Sequence, residues 1–117
     1  MLQFICYPKC TTCQKAQKWL DNHQIPYQLR DIKLDRPTLE ELTLWLSGSG
    51  LPVRKFFNTS GLLYKSLGLK DKLPGMTTEE ALRLLATDGM LVKRPLLIDD
   101  DFVLVGFREA QWKEKLE

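Results

Sequence analysis

The apolar residues change period twice between Met1 and Asp31, and that change limits the folds open to the chain. Met1 to Cys6 (MLQFIC) is a short apolar run closed by the turn-forming Tyr7-Pro8-Lys9, and it reads as a buried strand. From Thr11 to Asn22, Ala16, Trp19 and Leu20 fall at helical spacing with Lys15, Gln17, Lys18, Asp21 and Asn22 between them. The spacing predicts an amphipathic helix that begins at or just after Cys10. Ile25 to Asp31 then sets Tyr27, Leu29 and, just beyond, Ile32 against polar neighbours, as a second strand reached by a crossover helix would do. The opening unit is therefore βαβ.

Arg36-Pro37-Thr38 opens another helical pattern, with Leu39, Leu42, Leu44, Trp45 and Leu46 as its apolar face and Ser47-Gly48-Ser49-Gly50 as its end. Val53 to Ala86 holds no strand pattern. Leu62, Leu63, Tyr64, Leu67 and Leu69 form one short helical patch, and Thr78 to Leu85 forms another, with Thr77 or Thr78 as N-cap before Glu79-Glu80. After Gly89 the period returns to two. Leu96-Leu97-Ile98 and Phe102-Val103-Leu104-Val105 flank the turn residues Asp99-Asp100-Asp101 as an antiparallel hairpin, and Phe107 to Leu116 closes the chain as a helix with Ala110, Trp112 and Leu116 available for packing. The expected fold is α/β and thioredoxin-like: a four-stranded mixed sheet flanked by helices, with a helical insert at about 37–88 between the second and third strands.

A chain of 117 residues, 44% hydrophobic, has material for one core, so residues 1–117 are expected to form a single domain. The net charge of +2, from 17 basic and 15 acidic side chains spread along the chain, supplies no basic tract and speaks against direct nucleic-acid binding. The N-terminal apolar run is too short for a signal sequence, and no run approaches bilayer-spanning length. The expectation is a cytoplasmic protein, monomeric and away from membranes. In a reducing compartment structural disulfides are rare, so clustered cysteines are read first as metal ligands or redox groups.

All three cysteines lie in one stretch, Phe4-Ile5-Cys6-Tyr7-Pro8-Lys9-Cys10-Thr11-Thr12-Cys13. The thiolate is the nucleophile, and helix N-terminal N–H groups, a nearby cation and a Cys-x-x-Cys partner all favour it. Cys10, just ahead of the first helix and flanked by Lys9 and Lys15, has each of these as a candidate. Cys13, one turn on, faces the same way and is placed to resolve a mixed disulfide formed at Cys10. A zinc site would need Cys6 and His23 to complete four ligands, and redox chemistry is the preferred reading. Cys6 is expected to be a small core hydrophobe, His23 a surface residue near a helix end, and Asp99 to Asp101 a turn, so no metal site is expected.

Four segments in this order resemble the arsenate reductase/Spx family: Tyr7-Pro8-Lys9-Cys10-Thr11-Thr12-Cys13, then Pro52 to Gly61 (PVRKFFNTSG), then Lys93-Arg94-Pro95-Leu96-Leu97-Ile98, and last Val105-Gly106-Phe107-Arg108. The resemblance implies that Cys10 is the nucleophile, that Arg54, Arg94 and Arg108 surround it as an oxyanion clamp, and that the bond before Pro95 is cis. Guanidinium forks do match tetrahedral oxyanions. Lys93 is expected to be solvated. Glutaredoxin-dependent reductases of the family carry His-Asn-Pro ahead of a single essential cysteine and a serine three residues after it. Here Cys6 and Tyr7 stand for the His and Asn, Cys13 for the serine, and Gln14 for a usual arginine. That substitution implies an intramolecular Cys10–Cys13 disulfide rather than a cycle run on glutathione alone.

The resulting expectation is a thiol oxidoreductase of arsenate reductase type that acts on a small oxyanion or a disulfide. It would hold no bound cofactor and would draw electrons from thioredoxin, glutaredoxin or glutathione. The alternative implied by Cys-x-x-Cys is a Spx-like redox switch that binds the RNA polymerase α subunit.

Overall fold

In a computed structural model that describes residues 1–117, four strands, β1 (Gln3–Cys6), β2 (Gln28–Asp31), β3 (Leu96–Ile98) and β4 (Val103–Val105), form one sheet in the order β2-β1-β3-β4. β1 runs parallel to β2, with Cys6 beside Asp31. It runs antiparallel to β3, with Ile5 beside Leu96, and β3 is antiparallel to β4, with Leu96 beside Val105. This is the mixed thioredoxin-like sheet expected from the sequence. Its directions bring the exit of β1, the entry to β3 and the exit of β4 to the same end.

Six helices complete the fold: α1 (Thr11–Asn22), α2 (Leu39–Ser49), α3 (Leu62–Ser66), α4 (Leu69–Lys72), α5 (Thr78–Leu85) and α6 (Glu109–Leu116). Alternation along the strands assigns them to two faces. Phe4, Cys6, Leu97 and Leu104 pack with Cys13, Ala16, Trp19 and Leu20 of α1 and Trp112 of α6. Ile5, Leu96 and Ile98 pack on the other side with Leu42 and Trp45 of α2, Leu82 and Leu85 of α5, and Phe56, Phe57, Leu69 and Leu91. The insert between β2 and β3 therefore supplies the second helical layer. No helix is long and apolar enough to cross a membrane.

Local signals set the helix ends. Thr38 and Thr77 are the N-caps of α2 and α5, each closing a reciprocal capping box, with Glu41 and Glu80 respectively. α2 stops at Gly50, whose φ of 69° is left-handed. The apolar patch from Leu62 to Leu69 is not one helix: left-handed Gly68 (φ 65°) divides it into α3 and α4. The last helix starts at Glu109 rather than Phe107, because Gly106 turns the chain at φ 79°, and Ala110 stays exposed.

Two apolar expectations fail at the periphery. Leu29 is 54% exposed, because β2 is an edge strand and its outer flank has no cover. On α2 only Leu42 and Trp45 are buried, while Leu44 is 67% exposed, since five apolar residues in eight exceed what one face can bury.

Arg30 of β2 ties the sheet to the insert. Its guanidinium makes a two-pronged bond to Glu41, with Nη1 donating to Oε2 at 2.7 Å and Nη2 to Oε1 at 2.8 Å. Its Nε donates to the Asp35 carbonyl at 2.9 Å, and its Cζ lies 5.8 Å from the centroid of the Trp45 ring. Hydrogen bonding to Arg30 holds the Glu41 carboxyl below its ordinary value. Gly89 makes a second tie. A Cβ there would lie 1.8 Å from the Ile32 carbonyl oxygen, so the insert's last turn rests directly on the backbone after β2.

Two predictions come from these ties. Gly89→Ala lowers stability by about 1–3 kcal/mol, whereas Gly75→Ala, with open space around its Cβ position, leaves it nearly unchanged in a denaturant titration. For Glu41→Gln the sign runs with the depressed carboxyl. The wild type's advantage is complete above the unfolded glutamate value of about 4.3 and disappears as pH falls through the lower folded value. Thermal scans of both proteins between neutral pH and pH ~3 should show the two Tm values converge.

Candidate functional site

Cys10 is the N-cap residue of α1, in extended conformation (φ −83°, ψ 123°), and no side chain caps that helix. The loop that presents it is held at both ends. The Cys10 N–H donates to the Tyr7 carbonyl at 2.9 Å, and Gln14 Nε2 donates to the Pro8 carbonyl at 2.9 Å. Gln14 thus serves as a brace for the loop.

Cys13 lies one turn inward, 2% exposed, and Cys6 at the end of β1 is 3% exposed, whereas Cys10 is half-buried. The Tyr7 N–H donates to Cys13 Sγ at 3.4 Å. That bond sets the Cys13 sulfur above the peptide that leaves Cys6, and Cys6 and Cys13 pack in one buried cluster with Cys10 against it. The bond to Cys6, and then burial, push the Cys13 thiol well above its ordinary value. The same bond pulls Cys6 below its own. All three sulfurs thus form one cluster. Cys6 is buried as expected of a core residue, but its partner is a thiol.

Three loops meet over Cys10. The cavity there, of about 820 Å³, is lined by Cys10, Thr11 and Thr12 at the start of α1, by Asn58, Ser60 and Asp88 from the insert, and by Lys93, Arg94, Gly106 and Arg108 beside β3 and β4. The insert reaches it through a short ladder: Phe57 bridges Val92, Asn58 N–H donates to the Leu91 carbonyl at 2.7 Å, and Lys93 N–H donates to the Phe56 carbonyl at 2.7 Å. The Arg94–Pro95 peptide is cis, in line with the resemblance.

Arg94 is the most constrained of the cations. Its Cζ stands 5.3 Å from the centroid of the Tyr7 ring, and Nη1 donates to the Met90 carbonyl at 3.4 Å. Its Nε is buried without any hydrogen-bond partner. A buried guanidinium N–H left unpaired costs free energy.

Of the expected site residues, the structure brings Cys10, Arg94 and Arg108 to one cavity, with Cys13 directly beneath. Arg54 lines a second cleft of about 750 Å³ next door, together with Lys55, Lys70, Lys93 and Arg108. Lys93 and Arg108 border both. Lys93 is therefore part of the site and not merely solvated. Asn58 and Ser60 are also additions. Asn58 is 9% exposed and accepts from Ser60 Oγ at 3.3 Å, and only the ladder from Phe56 to Asn58 places the two there. His23 is not brought to the cysteines. It caps the far end of α1, stacks on Trp19 at 4.1 Å and faces Glu117 at 3.4 Å.

Comparison with known proteins agrees with this geometry. The ArsC family profile matches residues 6–115. The uncharacterized protein YusI of Bacillus subtilis (strain 168) is 50% identical over 97% of this chain and 96% of its own length. The global transcriptional regulator Spx of Enterococcus faecalis is 32% identical over 95% of this chain and 83% of its own. Among solved structures, an ArsC-related protein from Bacteroides fragilis superposes with a TM-score of 0.95 at 57% identity, covering 97% of this chain and 95% of that one. A possible arsenate reductase from Streptococcus mutans UA159 superposes with a TM-score of 0.91 at 46% identity, covering 99% and 98%.

Exposure and protonation separate the thiols experimentally. Iodoacetamide applied to the native protein should label Cys10 and spare Cys6 and Cys13 until the chain is unfolded. Cys13 should remain unlabelled even at about pH 9, where an ordinary exposed thiol is largely thiolate. Labelling of Cys13 at the rate of Cys10 would contradict the burial of its sulfur.

Proposed function

We propose, from the premise that the chain belongs to the ArsC family, that it is a thiol oxidoreductase in which Cys10 attacks an oxidised centre held by Arg94 and Arg108. The observation that carries this reading is the single cavity that brings Cys10, Arg94 and Arg108 together. Three cations, Lys93, Arg94 and Arg108, face a single carboxylate, Asp88, so the cavity favours an anion.

With arsenate as substrate, the Cys10 thiolate attacks arsenic and an oxygen leaves as water, which gives a thioester of arsenate. Cys13 then attacks Cys10 Sγ, and the sulfur–arsenic bond breaks with its electron pair on arsenic, so that arsenite departs and a Cys10–Cys13 disulfide remains. Arg94 and Arg108 offset the charge that builds on the oxyanion. With a disulfide substrate the same two displacements release two thiols. In both cases thioredoxin, glutaredoxin or glutathione restores the dithiol, and no bound cofactor takes part. Arg54, in the adjoining cleft, acts on a larger or second anionic group rather than on the atom that Cys10 attacks.

A regulatory reading stays beside it because a global transcriptional regulator, Spx, is among the relatives. There the Cys10–Cys13 disulfide would alter the start of α1 and the surface around it, and a partner such as the RNA polymerase α subunit would read the change.

NADPH consumption in a thioredoxin- or glutaredoxin-coupled assay with arsenate separates the two. Turnover should be abolished by Cys10→Ser and should fall by about 100-fold or more with Arg94→Ala, at unchanged far-UV circular dichroism. Arsenate-independent reduction of the oxidised wild type by thioredoxin, with no turnover on arsenate, would remove the arsenate reading and favour the switch.

A further inference from the structure

The proposed reaction uses two of the three thiols and leaves Cys6 idle, yet Cys6 is not placed as an ordinary core residue. On β1, Phe4 and Cys6 face α1 while Ile5 faces the insert, so the Cys6 side chain points at the first turn of α1. Cys13 occupies the inner side of that turn, and the bond from Tyr7 N–H holds its sulfur over the end of β1. Cys13 therefore stands between the other two: Cys10 on the cavity side and Cys6 on the core side. Cys6 and Cys13 pack in one buried cluster, with Cys10 against it.

We propose that Cys6 is a third redox thiol, which exchanges with the Cys10–Cys13 disulfide to form a buried Cys6–Cys13 disulfide and returns Cys10 to the cavity as a free thiol. The inference rests on the reading of Cys10 and Cys13 as a redox pair. In the step, the Cys6 sulfur, having given up its proton, attacks Cys13 Sγ. The Cys6–Cys13 bond forms, the Cys10–Cys13 bond breaks, and Cys10 leaves as a thiolate that takes up the proton Cys6 lost. No electrons enter or leave, so the exchange needs no further oxidant.

Burial gives the exchange a direction of entry. Cys6 and Cys13 are 3% and 2% exposed, so a bulky oxidant reaches neither, and oxidation must arrive through Cys10. Once moved inward, the disulfide is screened from bulky reductants in the same way. The nucleophile in the cavity is thus regenerated before any external electron donor has acted.

Trypsin reads the outcome directly, because Lys9 lies between Cys6 and Cys10. Met1–Lys9 carries Cys6 alone, and Cys10–Lys15 carries Cys10 and Cys13. The reduced full-length wild type and Cys10→Ser are treated with glutathione disulfide, quenched in acid, alkylated, digested and mapped by mass spectrometry over time. The wild type should first show a disulfide internal to Cys10–Lys15. A cross-link of the two peptides should follow, with the alkyl group on Cys10. In Cys10→Ser that cross-link should be lost.

The proposal is overturned if the wild type holds only the internal disulfide with Cys6 fully alkylated, an outcome that leaves the Cys10–Cys13 reading intact. It is also overturned if Cys6 is joined to Cys10 instead of Cys13, or if Cys10→Ser gives the cross-link as fast as the wild type does. A wild type that forms no disulfide at all removes the redox-pair reading and this inference together.

Discussion

The site depends on the pairing of β3 between β1 and β4. A strand antiparallel to both neighbours puts its own entry beside the exits of the other two. Ile5 beside Leu96 and Leu96 beside Val105 fix that register, so the loop leaving β1 with Cys10, the cis Arg94–Pro95 peptide and the turn at Gly106 open on one edge. A one-residue slip would exchange the two faces of β3 and bury Leu97 where Leu96 and Ile98 now pack. Two separate cores therefore enforce the geometry of the cavity, although neither core contains it.

The cations follow from the same arrangement and from the short ladder that joins Phe56–Asn58 to Leu91–Lys93. Burying part of a guanidinium is costly, and the Tyr7 ring on one side and the Met90 carbonyl on the other offset that cost for Arg94. Neither contact satisfies its Nε. A buried N–H without a partner is a cost that the rest of the fold carries. Arg30 offers the contrast within the same chain: Glu41, Asp35 and the Arg36 carbonyl engage it, and it serves as a structural tie.

Much of this was legible in the sequence because it rests on local signals. The change of period places β1, α1, β3 and β4; Pro8 and the helix start place Cys10 at an N-cap; and Thr77 with Glu80 announces α5. Long-range pairing was not legible. Nothing near Asn58 or Lys93 says that their segments run side by side, so the sequence shows neither at the site, and the resemblance groups Arg54 with Cys10 although Arg54 borders the neighbouring cleft. Leu29 and Leu44 mislead for a related reason: apolar alternation or helical spacing shows which face a residue shares, but not whether another element covers that face.

The buried thiols and the polar residues of the insert belong to different layers of the molecule. Cys6 and Cys13 sit in the core beneath α1 and α6, while Asn58, Ser60 and Asp88 are carried by the insert on the opposite face, and the cavity lies at the seam. Changes in the insert can reshape what the cavity admits without disturbing the packing that sets the sulfur chemistry. Tyr7 nevertheless joins the two, since its N–H holds the Cys13 sulfur and its ring faces Arg94, so a change in the loop between β1 and α1 is felt at thiol and cation together.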